Sequence, residues 1–509
     1  MFSSSLPSPD EHGWRIDTSF LKLPPDMWVR AVPEPVAQPA EVIWNLHLEQ
    51  TLGLNMSHLT SAERAVFAVG HRWPSAATPL AQAYAGHQFG HLAVLGDGRA
   101  VLMGEHLTPQ GQRVDVQWKG SGRTRYSRRG DGRAALGPML REYVISEAMH
   151  ALGVPTSRSL GVALTGERVL RERALPGAVL VRVASSHLRV GTVQWAAMQN
   201  DPQVLHQLVD YALWRHPISE PVHDNAALNL LYAVMLRHID LVVQWARVGF
   251  VHGVMNTDNM TLSGETLDYG PCAFMDVYNP KAVFSSIDTH GRYAFDQQAG
   301  IAQWNLARLA EALIPAIHPD ADAAVDLAMT VLESYPSRYR ERWLQMMRGK
   351  WGWTEVQPDD VAQISEGLSC MHALQLDYTA TFASLRDRFN QSQADEWVSI
   401  ERLRCKPHEP VSAEWIQRTQ RWWQNWRERC LHEAAPLQSK TLLLSHNPLR
   451  IPRNQAVETA LHDAEEGRYE ALHRLLKAVE RPYEQDLNAT DLEAAPLDSG
   501  IPYRTFCGT

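Results

Sequence analysis

Cysteine is scarce in this 509-residue chain, and no two cysteines lie close together in sequence. A C-x-x-C pair is the usual signature of a structural zinc site or a redox motif, so cysteine alone predicts neither. An odd number of thiols also suits a reducing compartment better than a disulfide framework. We therefore expect free thiols at Cys272, Cys370, Cys405, Cys430 and Cys507.

The chain also lacks a basic excess and a long apolar run. Its 57 acidic and 48 basic residues give a formal net charge of −9, which argues against binding of the whole protein to nucleic acid or an anionic membrane. The N-terminal segment MFSSSLPSPDEHGWRID has neither the basic nor the apolar region of a secretory signal, and no uninterrupted apolar segment is long enough to cross a bilayer. We expect a cytoplasmic protein with two or three packed regions.

The order of predicted elements indicates an α+β fold with two lobes. Residues 1–75 are rich in Pro and Trp and predict a largely irregular N-terminal extension. Residues 76–190 predict a β-rich lobe, and residues 191–395 predict a helical lobe with segments such as NLLYAVMLRHIDLVVQWARVG. Residues 396–509 predict added helices and a Cys-containing tail. A β-rich lobe followed by a helical lobe is the arrangement of a protein kinase.

Within the β-rich lobe, the pattern predicts a hairpin, a strand that ends in lysine, and a helix. Two apolar runs in LAVLGDGRAVLMGE flank Gly-Asp-Gly at 96–98, which predicts a hairpin turn there. A strand over 113–118 ends at Lys119, and a helix follows over 136–152. Further strands are predicted in SRSLGVALT and over 178–183.

Lys119 stands where a kinase places the Lys that contacts nucleotide phosphates and a Glu on the next helix. Glu142 and Glu147 both lie on that helix, and Glu142, 23 residues after Lys119, is the better partner. A lone Lys at a strand end is ordinarily a solvated surface side chain. Its order relative to the hairpin and the helix favours the ion pair.

Two segments carry groups that suit phosphate. Gly-Asp-Gly-Arg at 96–99 either lays backbone N–H groups over phosphates or forms a plain turn. The loop KGSGRTRYSRRGDGR at 119–133 has six cations against a single acid, Asp131. It is a solvated loop, a phosphate-binding loop or an RNA-contacting patch, and the scarcity of aromatic residues disfavours RNA. Arg182 and Arg189 add two cations near the expected junction of the lobes.

The segment VHGVMNTDNMTLSGETLDYGPCAFMD at 251–276 has a kinase-like pattern with altered residues. A kinase has H-R-D-L-x-x-x-N and later D-F-G, in which the first Asp accepts the substrate proton while the Asn and the second Asp hold Mg²⁺. Counted from His252, the Asn register falls on Asn259, and Asp268 begins a D-Y-G echo of D-F-G. The first Asp register falls on Val254, which accepts no proton.

Asp258 is the carboxylate nearest to the place where a base is needed. It is either that base or a turn-capping residue. Asn259 and Asp268 supply hard oxygen ligands, and two such ligands suffice for Mg²⁺ when substrate phosphates complete the coordination.

Long blocks of the sequence closely resemble the selenoprotein O (SelO, also called YdiU) family, and the match runs over nearly the whole chain. The blocks include TPLAQAYAGHQFGHLAVLGDGRAVLMGE, DVQWKGSGRTRYSRRGDGRAALGPMLREYVISEAMHALGVPTSRSL, RVASSHLRVGT, HGVMNTDNM, LDYGPCAFMD, GRYAFDQQ and NPLRIPRN. The resemblance implies a two-lobed protein-kinase-like fold, once considered a pseudokinase because its kinase Asp is missing. It also implies AMPylation, in which AMP passes from ATP to Ser, Thr or Tyr hydroxyls of proteins.

The resemblance further implies a role for each matching residue. Nucleotide contacts are expected from Gly96, Gly98, Arg99, Lys119, Asp131, Gly132, Arg182, Arg189 and Asp268. Glu142 is expected to pair with Lys119, and Asp258 to accept the proton. Mg²⁺ or Mn²⁺ is expected on Asn259 and Asp268. In this family the nucleotide lies flipped relative to a kinase, which brings the α-phosphate to the reaction centre and gives the surplus arginines a use.

Other activities remain open. They are transfer of UMP from UTP with Mn²⁺, γ-phosphoryl transfer, and a catalytically dead nucleotide-binding scaffold. Val254 favours the scaffold if only the kinase pattern is considered, whereas the retained metal ligands count against it. The expected partners are protein substrates, the chain itself included, with no nucleic acid or membrane, and a monomer is favoured.

Members of the family often carry selenocysteine or cysteine a few residues from the C-terminus, and Cys507 in YRTFCGT stands there. Cys272 follows D-Y-G-P in the region of a kinase activation loop. The two form either a regulatory disulfide or a pair of unrelated free thiols.

Overall fold

The computed structural model describes residues 7–199, 201–388, 402–406, 409–433, 435–486, 489–493, 495 and 503–505. They form an α+β fold in which a β-rich N-terminal lobe precedes a helical C-terminal lobe, consistent with a protein-kinase-like arrangement. The predicted fold class is confirmed.

Nine of the described strands form one antiparallel sheet. Its main path runs β2-β4-β7-β8-β11-β10-β3, with β1 beside β7 and β9 beside β11, while β5–β6 and β12–β13 are separate pairs. The strands are Ile16–Asp17 (β1), Trp28–Arg30 (β2), Ala40–Trp44 (β3), Leu80–Gln82 (β4), Ala85–Gln88 (β5), His91–Val94 (β6), Ala100–Leu107 (β7), Arg113–Lys119 (β8), Ala134–Ala135 (β9), Arg158–Leu170 (β10), Ala174–Ala184 (β11), Phe250–Val251 (β12) and Ala273–Phe274 (β13).

Helices dominate after β11. The described helices are Leu46–Leu52 (α1), Ser61–Ala68 (α2), Leu136–Ala151 (α3), Val190–Ala197 (α4), Pro202–Arg215 (α5), Ala226–Val248 (α6), Gln298–Ile317 (α7), Ala321–Leu332 (α8), Tyr335–Trp351 (α9), Asp360–Ala373 (α10), Tyr378–Arg388 (α11), Ala413–His432 (α12), Pro436–His446 (α13), Asn454–Glu465 (α14) and Glu470–Val479 (α15). The helical C-terminal region predicted from the periodicity is thus confirmed.

The predicted succession of strand, lysine and helix is confirmed. β8 ends at Lys119, and α3 has Pro138 in its first turn. Gly153 follows the end of α3 with a φ of +75°, a left-handed conformation that glycine adopts without a Cβ clash. Because α3 packs on β10 and β11, and β11 pairs with β8, its side chains can reach the end of β8.

The hairpin turn predicted at Gly-Asp-Gly is wrong. β6 pairs with β5, whereas β7 pairs with β1, β4 and β8. The true turn is Phe89-Gly90, whose φ values of 50° and 91° are both positive, as a two-residue type I′ turn requires. The loop around Asp97 instead lies against β4, because the Asp97 carboxylate accepts a hydrogen bond from the Gln82 N–H at 3.0 Å and its own N–H donates to the Gln82 carbonyl.

The first 75 residues contribute more regular structure than their composition predicts. The segment at 31–39 is irregular, as expected, yet β1, β2 and β3 extend the large sheet. α1 and α2 pack on β10 through apolar residues such as Leu48 and Phe67. Pairing with distant strands, rather than local propensity, sets this structure.

A buried charge network joins the sheet to the helical lobe. The Arg215 guanidinium at the end of α5 donates to the Asp115 carboxylate of β8 at 2.8 Å, and the backbone N–H of His187 donates to the other Asp115 oxygen at 2.8 Å. Burial opposes ionisation, but Arg215 and His187 outweigh it and hold the pKa of Asp115 well below its usual value. The network fixes α5 against the strands that carry the site.

The last two helices enclose α3. α14 and α15 both pack on it, while β10 and β11 also lie against it. Arg141 of α3 forms an ion pair with Glu458 of α14 and donates to the Tyr503 hydroxyl at 2.9 Å. Almost every α3 side chain is buried, which is the pattern of a helix surrounded on several sides.

Among the described helices, α6 alone is long and apolar enough to cross a bilayer, and 72% of its apolar window is buried inside the protein. It packs against α7, α8 and α9. α6 is therefore a buried helix in the interior of the C-terminal lobe.

Candidate functional site

The end of β8 carries a buried cluster of alternating charges. Lys119 Nζ lies 2.5 Å from Glu142 Oε2, and Arg182 Nη1 lies 3.1 Å from Glu142 Oε1. Arg182 also donates to the Gln117 amide oxygen at 2.7 Å. The structure thus brings the predicted lysine and glutamate together, whereas Glu147 faces away and pairs with Arg158.

Asp268 is the second acid of this cluster. Its carboxylate lies 2.7 Å from Lys119 Nζ, and its side chain is about a third exposed, at 32%. Burial alone would raise its pKa, but Lys119, Arg99 and Arg182 together hold the pKa of Asp268 well below the usual value. The φ of +69° is left-handed, a conformation that Asp tolerates better than most residues. An ionised, partly exposed carboxylate therefore lies beside Lys119.

Asn259 belongs to the short 3₁₀ turn Thr257–Asn259 that follows the Val254 position. Its amide nitrogen donates to the Val254 carbonyl at 3.0 Å, which leaves the amide oxygen as its group for a ligand. An amide oxygen and the ionised carboxylate of Asp268 are the hard donors that Mg²⁺ or Mn²⁺ takes beside substrate phosphates. This donor set fits the predicted metal.

Asp258 precedes Asn259 on the same turn and has an unused acceptor. Its Oδ1 is buried and has no hydrogen-bond partner among the described residues. Burial raises the pKa of Asp258 to about 6, against the opposing effect of the Arg189 guanidinium. A partly buried carboxylate with a raised pKa is suited to receive a proton.

Gly86 of β5 makes room for that carboxylate. A Cβ built at Gly86 would lie 2.5 Å from Asp258 Oδ1 and 2.8 Å from its Cβ, so the strand backbone passes directly beside the acid. The hairpin is bonded to the same loop, since the His87 N–H donates to Thr257 Oγ1 at 2.6 Å and the Phe89 N–H to Asn256 Oδ1 at 3.1 Å. The β5–β6 hairpin therefore forms one wall around Asp258.

Arg189, at the start of α4, supplies a buried cation in the same region. Its guanidinium lies 4.1 Å above the ring of Tyr84, and Nη1 lies 3.6 Å from an Asp97 oxygen. Its Nε and Nη1 groups are buried without a hydrogen-bond partner among the described residues, as is Nε of Arg182. Buried donors left over in this way suit an anionic ligand such as a phosphate.

The glycines at 96 and 98 lie beneath the basic loop. The Thr124 hydroxyl donates to the Asp97 carbonyl at 2.5 Å, the Ser127 hydroxyl bonds to the Gly98 carbonyl, and the Tyr126 ring leaves no room for a Cβ at Gly96. Arg99, next in sequence, is one of the cations that lower the pKa of Asp268. This segment thus reaches the charged cluster.

Asp131 and Gly132 contact the β10–β11 hairpin and other parts of the basic loop. Arg171, in the β10–β11 hairpin, lies 2.8 Å from the Asp131 carboxylate, and the Gly132 carbonyl accepts from the Gly122 N–H at 3.0 Å. Within the described part of the chain, their hydrogen bonds and ion pairs do not join them to Lys119. Both serve to close the loop at 119–133.

Cys272 is buried, and its thiol donates to the Tyr269 carbonyl at 3.3 Å. Burial raises its pKa to about 12, so the thiol is protonated and unreactive in this arrangement. The Thr505 hydroxyl donates to the carbonyl of Pro271 at 2.7 Å, which brings the tail near this region. Cys507 lies outside the described residues, and its pairing with Cys272 stays a prediction.

Sequence reasoning missed the residues that position the site, namely Gly86, Tyr84 and Asp97. The signal for Gly86 and Tyr84 was the block AYAGHQFGHLAV, in which two short runs flank Phe-Gly, while Asp97 lies just after it in Gly-Asp-Gly. That pair lacks the Asn-Gly or Asp-Gly signature of a two-residue turn. Contacts from the helical lobe, not local sequence, hold Phe89 in its left-handed conformation.

Comparison with known proteins matches most of the chain. Residues 14–480 match the family model described as protein adenylyltransferase SelO. The chain is 49% identical over 499 residues to a protein nucleotidyltransferase YdiU of Anoxybacillus flavithermus, covering 97% of this chain and 99% of the relative. A protein of the same name from Geobacillus kaustophilus is 49% identical over 499 residues, covering 98% and 99%, and one from Nitrosococcus oceani is 47% identical over 511 residues, covering all of both chains.

Proposed function

The chain belongs to the SelO family, whose relatives named above are protein nucleotidyltransferases, and we propose that it transfers AMP from ATP to Ser, Thr or Tyr hydroxyls of proteins. Nucleotidyl transfer is the activity that the family supports; ATP as the donor and the hydroxyl acceptors are our proposal. The supporting observation is the site around Asp258, a partly buried carboxylate close to the Arg189 guanidinium. Among the described residues, Oδ1 of Asp258 and two donor groups of Arg189 are buried without a hydrogen-bond partner. The kinase base position is held by Val254 and offers no such group.

In the proposed reaction, the acceptor hydroxyl attacks the α-phosphorus in line. The bond from the α-phosphorus to the bridging oxygen breaks, and pyrophosphate leaves with its electron pair. Asp258 accepts the hydroxyl proton as the new oxygen–phosphorus bond forms. General-base assistance of this kind accelerates a reaction by about 10²- to 10⁴-fold.

In this proposal, the phosphates are held by the cations around Glu142 and Asp268. Lys119, Arg182 and Arg189 offset the charge of the triphosphate and of the leaving pyrophosphate, with Arg99 beside them. Backbone N–H groups at Gly96 and Gly98 add donors from the segment that packs beneath Tyr126. Asp131 and Gly132 keep the basic loop closed over this region.

Asn259 and Asp268 would hold Mg²⁺ or Mn²⁺. When bound, the ion neutralises phosphate charge. Glu142 keeps the Lys119 ammonium directed toward Asp268 and so preserves the geometry of the cluster. The partners we propose are protein acceptors, the chain itself among them, in the cytoplasm.

ATP labelled separately at the α- and γ-phosphates tests the proposal. Incubation with acceptor protein and Mg²⁺ should leave α-label on protein and release γ-label as pyrophosphate. Mass spectrometry should show an added AMP on Ser, Thr or Tyr, in the acceptor or in the chain itself. Retention of γ-label alone would instead identify a kinase, and UMP adducts formed only from UTP with Mn²⁺ would identify a uridylyltransferase.

Asp258→Asn separates catalysis from binding. The variant should bind ATP with unchanged affinity in calorimetry while its transfer rate falls about 10²-fold or more. Binding without transfer in the wild-type chain itself would identify a nucleotide-binding scaffold.

A further inference from the structure

The outer strand of the hairpin, β6, has an open edge next to the candidate site. Among the described residues, β6 pairs only with β5. Leu92 and Val94 are 50% and 48% exposed, and His91 is also exposed. Natural proteins usually protect such an edge with Lys, Pro or a bulge, and the four residues His-Leu-Ala-Val include neither Lys nor Pro.

The ladder geometry identifies which backbone groups point outward. Gln88 and His91 flank the two-residue turn, so they exchange ladder hydrogen bonds, and the next bonded pair is Gly86 with Ala93. Residues between the bonded pairs direct their N–H and C=O away from the partner strand. Leu92 is such a residue on β6.

The same alternation is visible on the other side of the hairpin. His87, opposite Leu92, points its N–H outward from β5 and donates it to Thr257 Oγ1. On β6 the outward carbonyl of Val94 accepts a bond from the Arg128 guanidinium. The outward N–H and C=O of Leu92 are therefore the central groups of the open edge.

The open edge lies next to a basic surface. Arg128 contacts its end, and Arg125 and Arg129 of the same loop are exposed. In a chain with a net charge of −9, this local excess of cations attracts an acidic partner and repels a basic one.

The distance from the edge to Asp258 constrains what occupies it. β5 separates β6 from Asp258, and neighbouring strands lie about 4.8 Å apart. A chain added to β6 would run two strand spacings, or about 10 Å, from β5 and farther than that from Asp258. The residues that pair with β6 thus cannot carry the reacting hydroxyl, which must follow where the segment leaves the edge and enters the cleft.

We propose that β6 binds an extended acidic segment of the acceptor protein as an added β-strand. Backbone hydrogen bonds to Leu92 fix the path of the segment, and Arg125 and Arg129 contact its acidic side chains. Strand addition of this kind gives affinity through the main chain and selectivity through neighbouring side chains. The inference rests on the proposed function, because it names the acceptor of the same site.

Leu92→Pro tests the backbone contact directly. Proline removes the outward N–H but leaves the inner ladder bonds intact, a placement that edge strands tolerate. The matched control Leu92→Ala trims the side chain and keeps the N–H. The probe is a synthetic peptide with Ser, Thr and Tyr flanked by Glu, compared with a second peptide that has Lys in place of Glu.

We expect Leu92→Pro to lower kcat/KM for the acidic peptide by about tenfold, the effect of one lost hydrogen bond. Leu92→Ala should retain most of the activity, and the affinity of all variants for ATP should match that of the wild type. The double variant Arg125→Glu with Arg129→Glu should reverse the preference between the two peptides. This charge reversal tests the inference even if the proline variant does not fold.

Transfer by a folded Leu92→Pro variant at the wild-type rate, or equal use of both peptides by the wild type, would overturn the inference. So would a wild-type dimer that Leu92→Pro dissociates, because the edge would then bind a second copy of the chain. If the wild type transfers no nucleotide to any acceptor, the proposed function fails by itself. Binding of the acidic peptide, measured by calorimetry in the wild type and Leu92→Pro, then still decides whether the edge is a docking strand.

Discussion

At the residue scale, a missing side chain and a left-handed backbone position the two acids of the candidate site. Gly86 has no side chain where Asp258 lies, and Asp268 adopts a left-handed conformation that brings its carboxylate to Lys119. Neither feature follows from the identity of the charged residues alone. In both cases the position of the acid depends on the backbone around it and not only on the presence of an Asp in the sequence.

We predict that Gly86→Ala slows nucleotide transfer by about 10²-fold, because a displacement of about 1 Å in a reacting group costs a factor of this size. The added Cβ would overlap Asp258 Oδ1, so the carboxylate must move. ATP affinity, measured by calorimetry, should remain close to that of the wild type. Gly300→Ala is the control, since nothing lies within 4 Å of its Cβ position; a fully active Gly86→Ala variant would contradict the role given to Asp258.

We predict that Asp268→Asn abolishes transfer and weakens the binding of Mn²⁺ with ATP, detected by electron paramagnetic resonance. Asn tolerates the left-handed backbone, so this variant removes charge without adding strain. Asp268→Ala should also be inactive and should be less stable by about 1 kcal/mol, because Ala disfavours this conformation. Full transfer by either variant at saturating metal would show that Asp268 is not a metal ligand.

At the scale of elements, the sequence predicted those whose signals are local. The strand ending at Lys119, the helix carrying Glu142 and the long helix α6 lie where apolar periodicity and end signals place them. The β5–β6 hairpin escaped prediction because its turn is Phe-Gly, and contacts with Asn256 and with the ring of Tyr293 hold Phe89 in place. Gly-Asp-Gly has the turn signature, yet buried hydrogen bonds to Gln82 make it a loop against β4.

The connection between β8 and α5 gives a prediction about stability. Asp115→Asn leaves the buried Arg215 guanidinium without its closest carboxylate, which should lower the free energy of unfolding by about 3–5 kcal/mol. Urea denaturation at neutral pH measures this loss. The control variant Asp326→Asn, at an exposed position, should change the free energy of unfolding by less than about 0.5 kcal/mol.

The Asp115–Arg215 pair also predicts how the stability difference between the wild type and Asp115→Asn depends on pH. The pKa of Asp115 is lower in the folded state than in the unfolded state, so its stabilising contribution is complete above the unfolded pKa of about 3.9 and is lost as pH falls below it. The gap between wild type and Asp115→Asn should therefore narrow in acid. A gap that widens below pH of about 4 would contradict the ion pair.

At the scale of the whole molecule, the C-terminal helices belong to the main hydrophobic core. Val457 and Leu461 of α14 and Leu472 and Leu475 of α15 are buried in the same apolar cluster as α3 and α6. Composition predicted added helices but could not show that they pack on α3, because helix-to-helix contacts depend on the path of the chain between them.

We predict that a chain ending at residue 450 does not fold cooperatively. Removing α14 and α15 would expose the apolar face of α3, and a large apolar surface of this kind promotes aggregation. Thermal unfolding followed by near-ultraviolet circular dichroism should show no sharp transition. A soluble truncated chain with wild-type cooperativity would show instead that these helices are a separate unit.

The enclosure of α3 bears on how such an enzyme is controlled. Many kinases are switched off by moving the helix that carries the glutamate away from its lysine. Here that helix is held by strands on one side and by α14 and α15 on another, and Lys119 forms an ion pair with Glu142. A swing of this helix would have to break its packing on both sides, so we expect the output of the protein to follow the supply of donor and acceptor rather than the position of this helix.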